Sequence, residues 1–248
     1  MSGHSRWSTI KHKKGATDAK RGKTFTRLIK EITVAARSGG GDVNGNPRLR
    51  AAVNEAKANN MPKDTVERAI KRGTGEIEGA TYEEVTYEGY GPGGVAIMVE
   101  AMTDNPNRTT PEIRHIFEKN SGNLGTPGSV RFQFDRKGYF AIEKKAVSED
   151  KLMEIALEAG ADDLQTDSPE AYEVYASPDN FEHVRQALEK SNIPTIEAKI
   201  GQFPSMYVKL DEAKAKQTMR LLEMLDDQDD VQNVWSNFDI PAEMMESA

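Results

Sequence analysis

The chain has 248 residues, a net charge of −7, 37% hydrophobic and 29% charged residues, and no cysteine. That length allows one to three domains with a buried core, and the missing cysteines exclude disulfides, thiolate metal sites and cysteine nucleophiles. No apolar run approaches the ~20 residues that cross a bilayer, and no apolar h-region follows the basic N-terminus, so a cytoplasmic protein without membrane association is expected.

The charge is unevenly spread. Residues 1–72 hold 17 Lys+Arg against 6 Asp+Glu, a net of +11, and the remainder holds 16 against 34, a net of −18. A basic module that seeks a polyanion, joined to an acidic body, is the expectation from such asymmetry. Residues 1–17 lack any apolar period and read as a basic arm carrying Arg6, Lys11, Lys13 and Lys14. Trp7, set among these bases, suits stacking on an unpaired nucleobase and equally suits pinning the arm to a helical bundle.

A helix is expected from Asp18 to Ser38, closed by Gly39, Gly40 and Gly41. At 100° per residue Phe25, Leu28, Ile29, Ile32, Ala35 and Ala36 share an arc of roughly 120°. Lys20, Lys23, Arg27, Lys30 and Arg37 fall on the other side, a cationic ridge that only Val34 interrupts. With Arg21 these continue the arm, and the nucleic-acid-binding candidates are Arg6, Trp7, Lys11, Lys13, Lys14, Lys20, Arg21, Lys23, Arg27, Lys30 and Arg37. Two shorter helices follow. One spans Pro47–Asn59; the other starts at Pro62 as its first residue and ends at Gly73, with Asp64 in the first turn and Lys71 and Arg72 in the last.

From Tyr82 the pattern changes to strands at 83–88 and 95–102, a helix at 110–120 and strands at 129–135 and 138–143. A helix at 149–159, strands at 162–167 and 171–176, a helix at 178–191 and a strand at 194–201 follow. Residues 138–201 thus run βαββαβ, the ferredoxin-like order. A strand at 206–210, a helix at 212–225 and a strand at 231–238 complete the set begun at 83. The fold class expected is multidomain α and α+β. An N-terminal three-helix domain (1–78) precedes a discontinuous α+β domain (79–136 and 204–240), into which a ferredoxin-like domain (137–203) is inserted.

Catalytic patterns are absent. GYGPGG contains G-x-G-x-x-G, but a strand follows it and Pro92 lacks an N–H, so a hairpin turn is expected rather than a phosphate cradle. His4, His12, His115 and His183 form no metal spacing, and Asp162-Asp163 and Asp226-Asp227 are neighbours that point apart. The expectation is no enzyme, no metal, no cofactor and no small-molecule substrate. Two segments stay open. Asn107, Arg108, Thr109 and Thr110 in TDNPNRTTPE suit helix capping, or an anion at a helix N-terminus. DDQDD (226–230) reads as solvated surface, or more weakly as a competitor with nucleic acid for the arm.

GHSRW, HKK, DAKRGK, NPRLR, NNMPKDTVERAIKRGTG, YEGYGPGGVAIMVEAMTDN, NRT and GNLG together resemble the YebC family across essentially the whole chain. Pro106 stands where that family usually has a basic or polar residue. The resemblance implies three domains, no cofactor, and a non-enzymatic regulator of gene expression, labelled a probable DNA-binding transcriptional regulator. It also implies an alternative at the ribosome, as a translation factor or translational activator. The expected partner is DNA or RNA, the latter including the ribosome. Helices two and three could form a helix-turn-helix-like pair, with Arg68 and Arg72 as possible base readers but no Asn or Gln suited to that task. A basic arm with glycine and an aromatic suits folded RNA.

Overall fold

The computed structural model describes residues 18–168 and 171–239, with side chains from Gly22 onward in the first helix. Within these residues the chain forms seven α-helices and ten strands, grouped into two units. One comprises 18–131 with 210–234, the other 132–209 with 235–239.

In the larger unit, α1 (Asp18–Gly39) stops where Gly40 turns left-handed at φ +83°. Asn46 then starts α2 (Pro47–Ala58). Its side-chain oxygen accepts from Leu49 N at 3.1 Å, while its amide donates to the Ala35 and Gly40 carbonyls at 2.8 and 2.9 Å. One side chain therefore caps α2 and ties it to the end of α1. α3 (Lys63–Thr74) keeps the expected charges at both ends, with Pro62 just outside as the N-cap and Gly75 as a left-handed C-cap. Leu28, Ile32, Leu49, Val53, Val66 and Ala69 lead the shared core. α1 and α3 approach so closely at Gly73 that a Cβ there would meet the Thr33 carbonyl, with the Ala36 methyl 2.7 Å away.

The sheet of this unit has the order β3–β1–β2–β9, built from β1 (Glu83–Tyr90), β2 (Ala96–Thr103), β3 (Asn123–Leu124) and β9 (Val231–Ser236). β1 and β2 form an antiparallel hairpin from Glu83↔Thr103 to Tyr90↔Ala96. GYGPGG makes its turn, with Gly93 and Gly94 at φ +74° and +81°. α4 (Pro106–Lys119) and α7 (Glu212–Asp227) cover one face: Phe117 lies against Gly89, and Leu221 against Gly91 and Gly122. β2, α4 and β3 make a crossover over β1, as in a ferredoxin-like sheet, but here β1 leads straight into β2 without a helix.

The smaller unit runs β4 (Phe134–Glu143), α5 (Glu149–Glu158), β5 (Ala161–Gln165), β6 (Ala171–Ala176), α6 (Phe181–Lys190) and β7 (Glu197–Pro204). The sheet order β5–β6–β4–β7, antiparallel throughout, is ferredoxin-like. Phe140, Ile142, Leu152, Val174, Val184 and Leu188 fill the helix side. The Tyr139, Tyr175 and Phe203 rings pack on the other, where Phe203 meets Trp235 at a centroid distance of 5.9 Å. β8 (Val208–Lys209) and β10 (Phe238–Asp239) form a short parallel pair.

Several expected boundaries move, among them the helix placed at 178–191, which begins at Phe181, and the strand placed at 206–210, which shrinks to Val208–Lys209. The helix placed at 110–120 begins at Pro106, because Asn105 caps it and Pro106 supplies the pre-set first residue, leaving Pro111 inside. The strand placed at 129–135 is a 3-10 turn at Arg131–Gln133 followed by β4, which runs unbroken through Gly138. The reason is a carboxylate distant in the chain: the Val130 and Arg131 amides donate to Glu88 rather than to a ladder. The last strand of the inserted set lies three residues later than expected, at 197–204.

Candidate nucleic-acid interface

Of the expected contact residues, Arg6, Trp7, Lys11, Lys13 and Lys14 lie outside the described residues, and Lys20 and Arg21 are placed only as backbone in the first turn of α1. The rest of the ridge is placed fully, and it is not an open cationic surface. Lys23 Nζ pairs with Asp227 at 3.2 Å. Arg27 donates from Nη2 to the Asp226 carboxylate at 2.9 Å and from Nε to the Val231 carbonyl at 2.9 Å. Lys30, only 5% exposed, donates to Asp230 Oδ1 at 2.7 Å and to the Asp229 carbonyl at 3.0 Å, with the Tyr82 ring 5.5 Å away. Arg37 donates to the Tyr82 carbonyl at 2.6 Å but stays exposed at the end of the ridge. α1 therefore buries two faces, and Val34, 3% exposed, belongs to the second of them. The ridge meets DDQDD, where Asp226 and Asp230 are drawn into the contact while Asp227 and Asp229 keep the exposure expected of a solvated surface. Burial, joined by the nearby Arg27, pushes the Lys23 ammonium below its ordinary pKa against the pull of Asp227.

Asp230 is the centre of this contact. Its second oxygen accepts from Arg108 Nη2 at 2.8 Å and from Thr109 Oγ1 at 2.6 Å, and Thr109 Oγ1 lies 2.7 Å from Thr103 Oγ1. Burial alone would raise the carboxyl's pKa, but hydrogen bonds from Lys30, Thr109 and Arg108 outweigh it and hold the group well below the carboxylate range. Both readings of the TDNPNRT segment are thus partly met within the chain. Asn105 caps α4, and the anion beside its first turn is Asp230.

Two further constellations fix the frame. Arg48 donates to both oxygens of Glu31, at 2.7 and 3.0 Å, and to both of Glu84, at 3.2 and 2.6 Å. The Glu31 bonds foremost raise its guanidinium above an already high pKa. Glu88, 5% exposed, accepts from the backbone amides of Gly128, Val130 and Arg131 at 2.7, 2.8 and 2.9 Å. Burial works against its ionisation, but those amides prevail and lower its pKa. Neither constellation was legible in advance, because each joins residues 17 to 43 positions apart with no local pattern.

Of the two possible base readers on α3, Arg68 is exposed, whereas Arg72 folds against Gly79 with its Nε buried. His115 is exposed on α4. Among the described residues no group of three or more His, Cys, Asp or Glu is placed to hold a metal ion, and no helix is long and apolar enough to cross a membrane.

A family model described as the TACO1/YebC protein N-terminal domain matches residues 5–76, and one described as the TACO1/YebC second and third domain matches residues 82–238. The chain belongs to the TACO1/YebC family. Its relatives include a probable transcriptional regulatory protein of Geobacter sulfurreducens, 61% identical over 99% of both chains. Another of the same description, from Acidobacterium capsulatum, is 60% identical over 97% of both. A crystal structure of a conserved hypothetical protein from Aquifex aeolicus superposes with a TM-score of 0.83 at 50% identity, covering 92% of this chain and 93% of that one. The multidomain α and α+β architecture of this TACO1/YebC member is thus shared with a solved structure. The join between the two family matches, at residues 77–81, falls between α3 and β1.

Proposed function

We propose that this protein is a non-enzymatic, cytoplasmic regulator of gene expression that binds nucleic acid through its N-terminal basic segment. The observation that carries the reading is the charge division, +11 over residues 1–72 against −18 over the rest. The name carried by the relatives, probable transcriptional regulatory protein, supports the regulatory part.

The internal pairing of α1 sharpens which charges do the work. Lys23, Arg27, Lys30 and Arg37 are engaged with acceptors of the chain itself. Phosphate contact therefore rests first on Arg6, Lys11, Lys13, Lys14, Lys20 and Arg21, with Trp7 as the stacking candidate. Asp18 is the single acid among residues 1–21. Such contacts give affinity and position but no sequence information. With Arg72 turned inward, one of the two candidate base readers on α3 is withdrawn and Arg68 stays exposed, which favours a phosphate-and-shape mode of binding. That observation gives weight to a second reading, structured RNA including ribosomal RNA, with a role in translation.

The test is a titration of duplex DNA and of a folded RNA over a salt series, by fluorescence anisotropy. About six phosphate contacts on duplex predict a slope of log K against log salt near −5, and replacing Lys11, Lys13 and Lys14 by Gln lowers that slope by about 3. A slope near zero, or one unchanged by the triple substitution, overturns the assignment to the arm. Crosslinking in cells then separates the targets: promoter DNA supports the transcriptional reading, ribosomal RNA the translational one.

A further inference from the structure

The two edges of the smaller unit's sheet are built differently. At one edge, β5 slips register against β6 between Ala161 and Asp163, and Asp162 and Asp163 are exposed there. A bulge and charges at an edge prevent another strand from adding to it. At the other edge, β7 pairs with β4 through eight consecutive residues, from Phe134↔Pro204 to Ala141↔Glu197, and among the described residues no strand lies on its outer side. That edge is regular and carries exposed aliphatic groups: Ala198 and Ile200 on the strand, Ile200 37% exposed, and Ile196, the bend residue just before it, 54% exposed. An accessible strand edge carrying aliphatic side chains is a pairing template.

The order of residues along it says what it can pair with. Ile196-Glu197-Ala198-Lys199-Ile200 is symmetric in chemical type about Ala198, except that the charges are of opposite sign. Under a two-fold axis through Ala198, antiparallel pairing sets Ile196 opposite Ile200 twice and Glu197 opposite Lys199 twice. A parallel pairing in register would set each charge against its like. The two charged groups are also held in place beforehand. Lys199 Nζ pairs with Glu197 at 2.7 Å and lies 5.9 and 5.3 Å from the Tyr139 and Trp235 ring centroids, and both side chains stand at the rim, 26% and 18% exposed.

We propose that β7 is a self-association edge, through which two copies of this chain join their four-stranded sheets into one eight-stranded sheet by antiparallel pairing about Ala198. The interface is isologous, so a closed dimer results rather than a fibre, and the backbone ladder supplies the affinity while the flanking pairs set the register. The bulged, acidic β5 edge stops further growth.

The intact chain is followed by sedimentation velocity from micromolar to millimolar concentration. The wild type is expected to show a concentration-dependent dimer. Glu197→Lys and Lys199→Glu each place like charges opposite one another at two positions, and each is expected to weaken self-association by about tenfold or more. An equimolar mixture of the two variants restores two opposite-charge pairs and is expected to form a one-to-one heterodimer at wild-type strength. Because Lys199 also touches two rings, Ile200→Lys serves as a second variant that leaves those rings alone; it is expected to be folded by circular dichroism and monomeric. A wild type that stays monomeric into the millimolar range overturns the proposal. So do single reversals that associate like the wild type, or a mixture that associates no better than either variant alone.

Discussion

Replacing Asp230 by Asn tests the contact that holds α1 to the rest of its unit. The aspartate accepts three side-chain hydrogen bonds, from Lys30 at 2.7 Å, Arg108 at 2.8 Å and Thr109 at 2.6 Å, and is 3% exposed. Asparagine keeps one oxygen and turns an N–H₂ group toward donors. Lys30, 5% exposed, is then left as a buried cation without its carboxylate. Breaking one side of a buried pair costs about 3–5 kcal/mol. Arg108 is the more exposed partner and keeps Asp104 at 3.0 Å, which places the expectation at the lower end, about 3 kcal/mol. Urea unfolding at neutral pH, followed by circular dichroism, measures it. A double-mutant cycle adds the decisive comparison: combining Lys30→Met with Asp230→Asn removes both charges, so the pair should lose clearly less than the sum of the singles. The pH dependence has a fixed sign. The carboxyl is held below its unfolded value in the native protein, so its stabilisation is complete above the unfolded pKa of about 3.9 and is lost as pH falls from there toward the folded value. The variant should therefore show a shallower acid limb. A loss under about 1 kcal/mol, strict additivity, or an unchanged acid limb would refute the reasoning.

Other expectations follow from the same geometry. Glu88→Gln removes the charge that three backbone amides face; a loss of about 1–3 kcal/mol is expected, together with faster hydrogen exchange at Gly128, Val130 and Arg131. If exchange at those amides is unchanged, the carboxylate does not organise the loop. Gly73→Ala drives a methyl against the Thr33 carbonyl and the Ala36 methyl; a fall in stability of about 1–3 kcal/mol, read from thermal unfolding, is the expected cost of overpacking. Gly201→Ala puts a methyl into the Trp235 indole, and should change tryptophan fluorescence as well as stability; an unchanged spectrum would show that the ring does not sit there.

The helices of the N-terminal part were readable because each signals its own ends. Asn46-Pro47, Gly73 to Gly75, and the apolar arc from Phe25 to Ala36 are local statements, and local chemistry decided them. The inserted βαββαβ order was readable for the same reason. Periodicity treats one element at a time, and it left the cationic side of α1 open for a nucleic acid. The structure gives that side to an acidic turn about 200 residues later in the chain. One clue was present, since Val34 sits in the middle of the ridge, where a solvated face has no use for it. Another was that DDQDD follows directly on a helix with a buried apolar face, so its carboxylates could not all be far from protein. The turn at Arg131–Gln133 was beyond reach, because the backbone amides that lead into it are taken by Glu88, a residue distant in the chain.

The three amides gathered by Glu88 separate shape from composition in the segment 125–131. Main-chain donors hold this bend against a single anion from another strand, so the outward groups at its crest, Thr126 and Pro127, carry none of that fastening. Such a crest can be rewritten, lengthened in polarity or stripped of side chains while its trajectory persists. It is therefore a natural place to attach a fluorophore, or to graft a short epitope, without disturbing the remainder of the molecule.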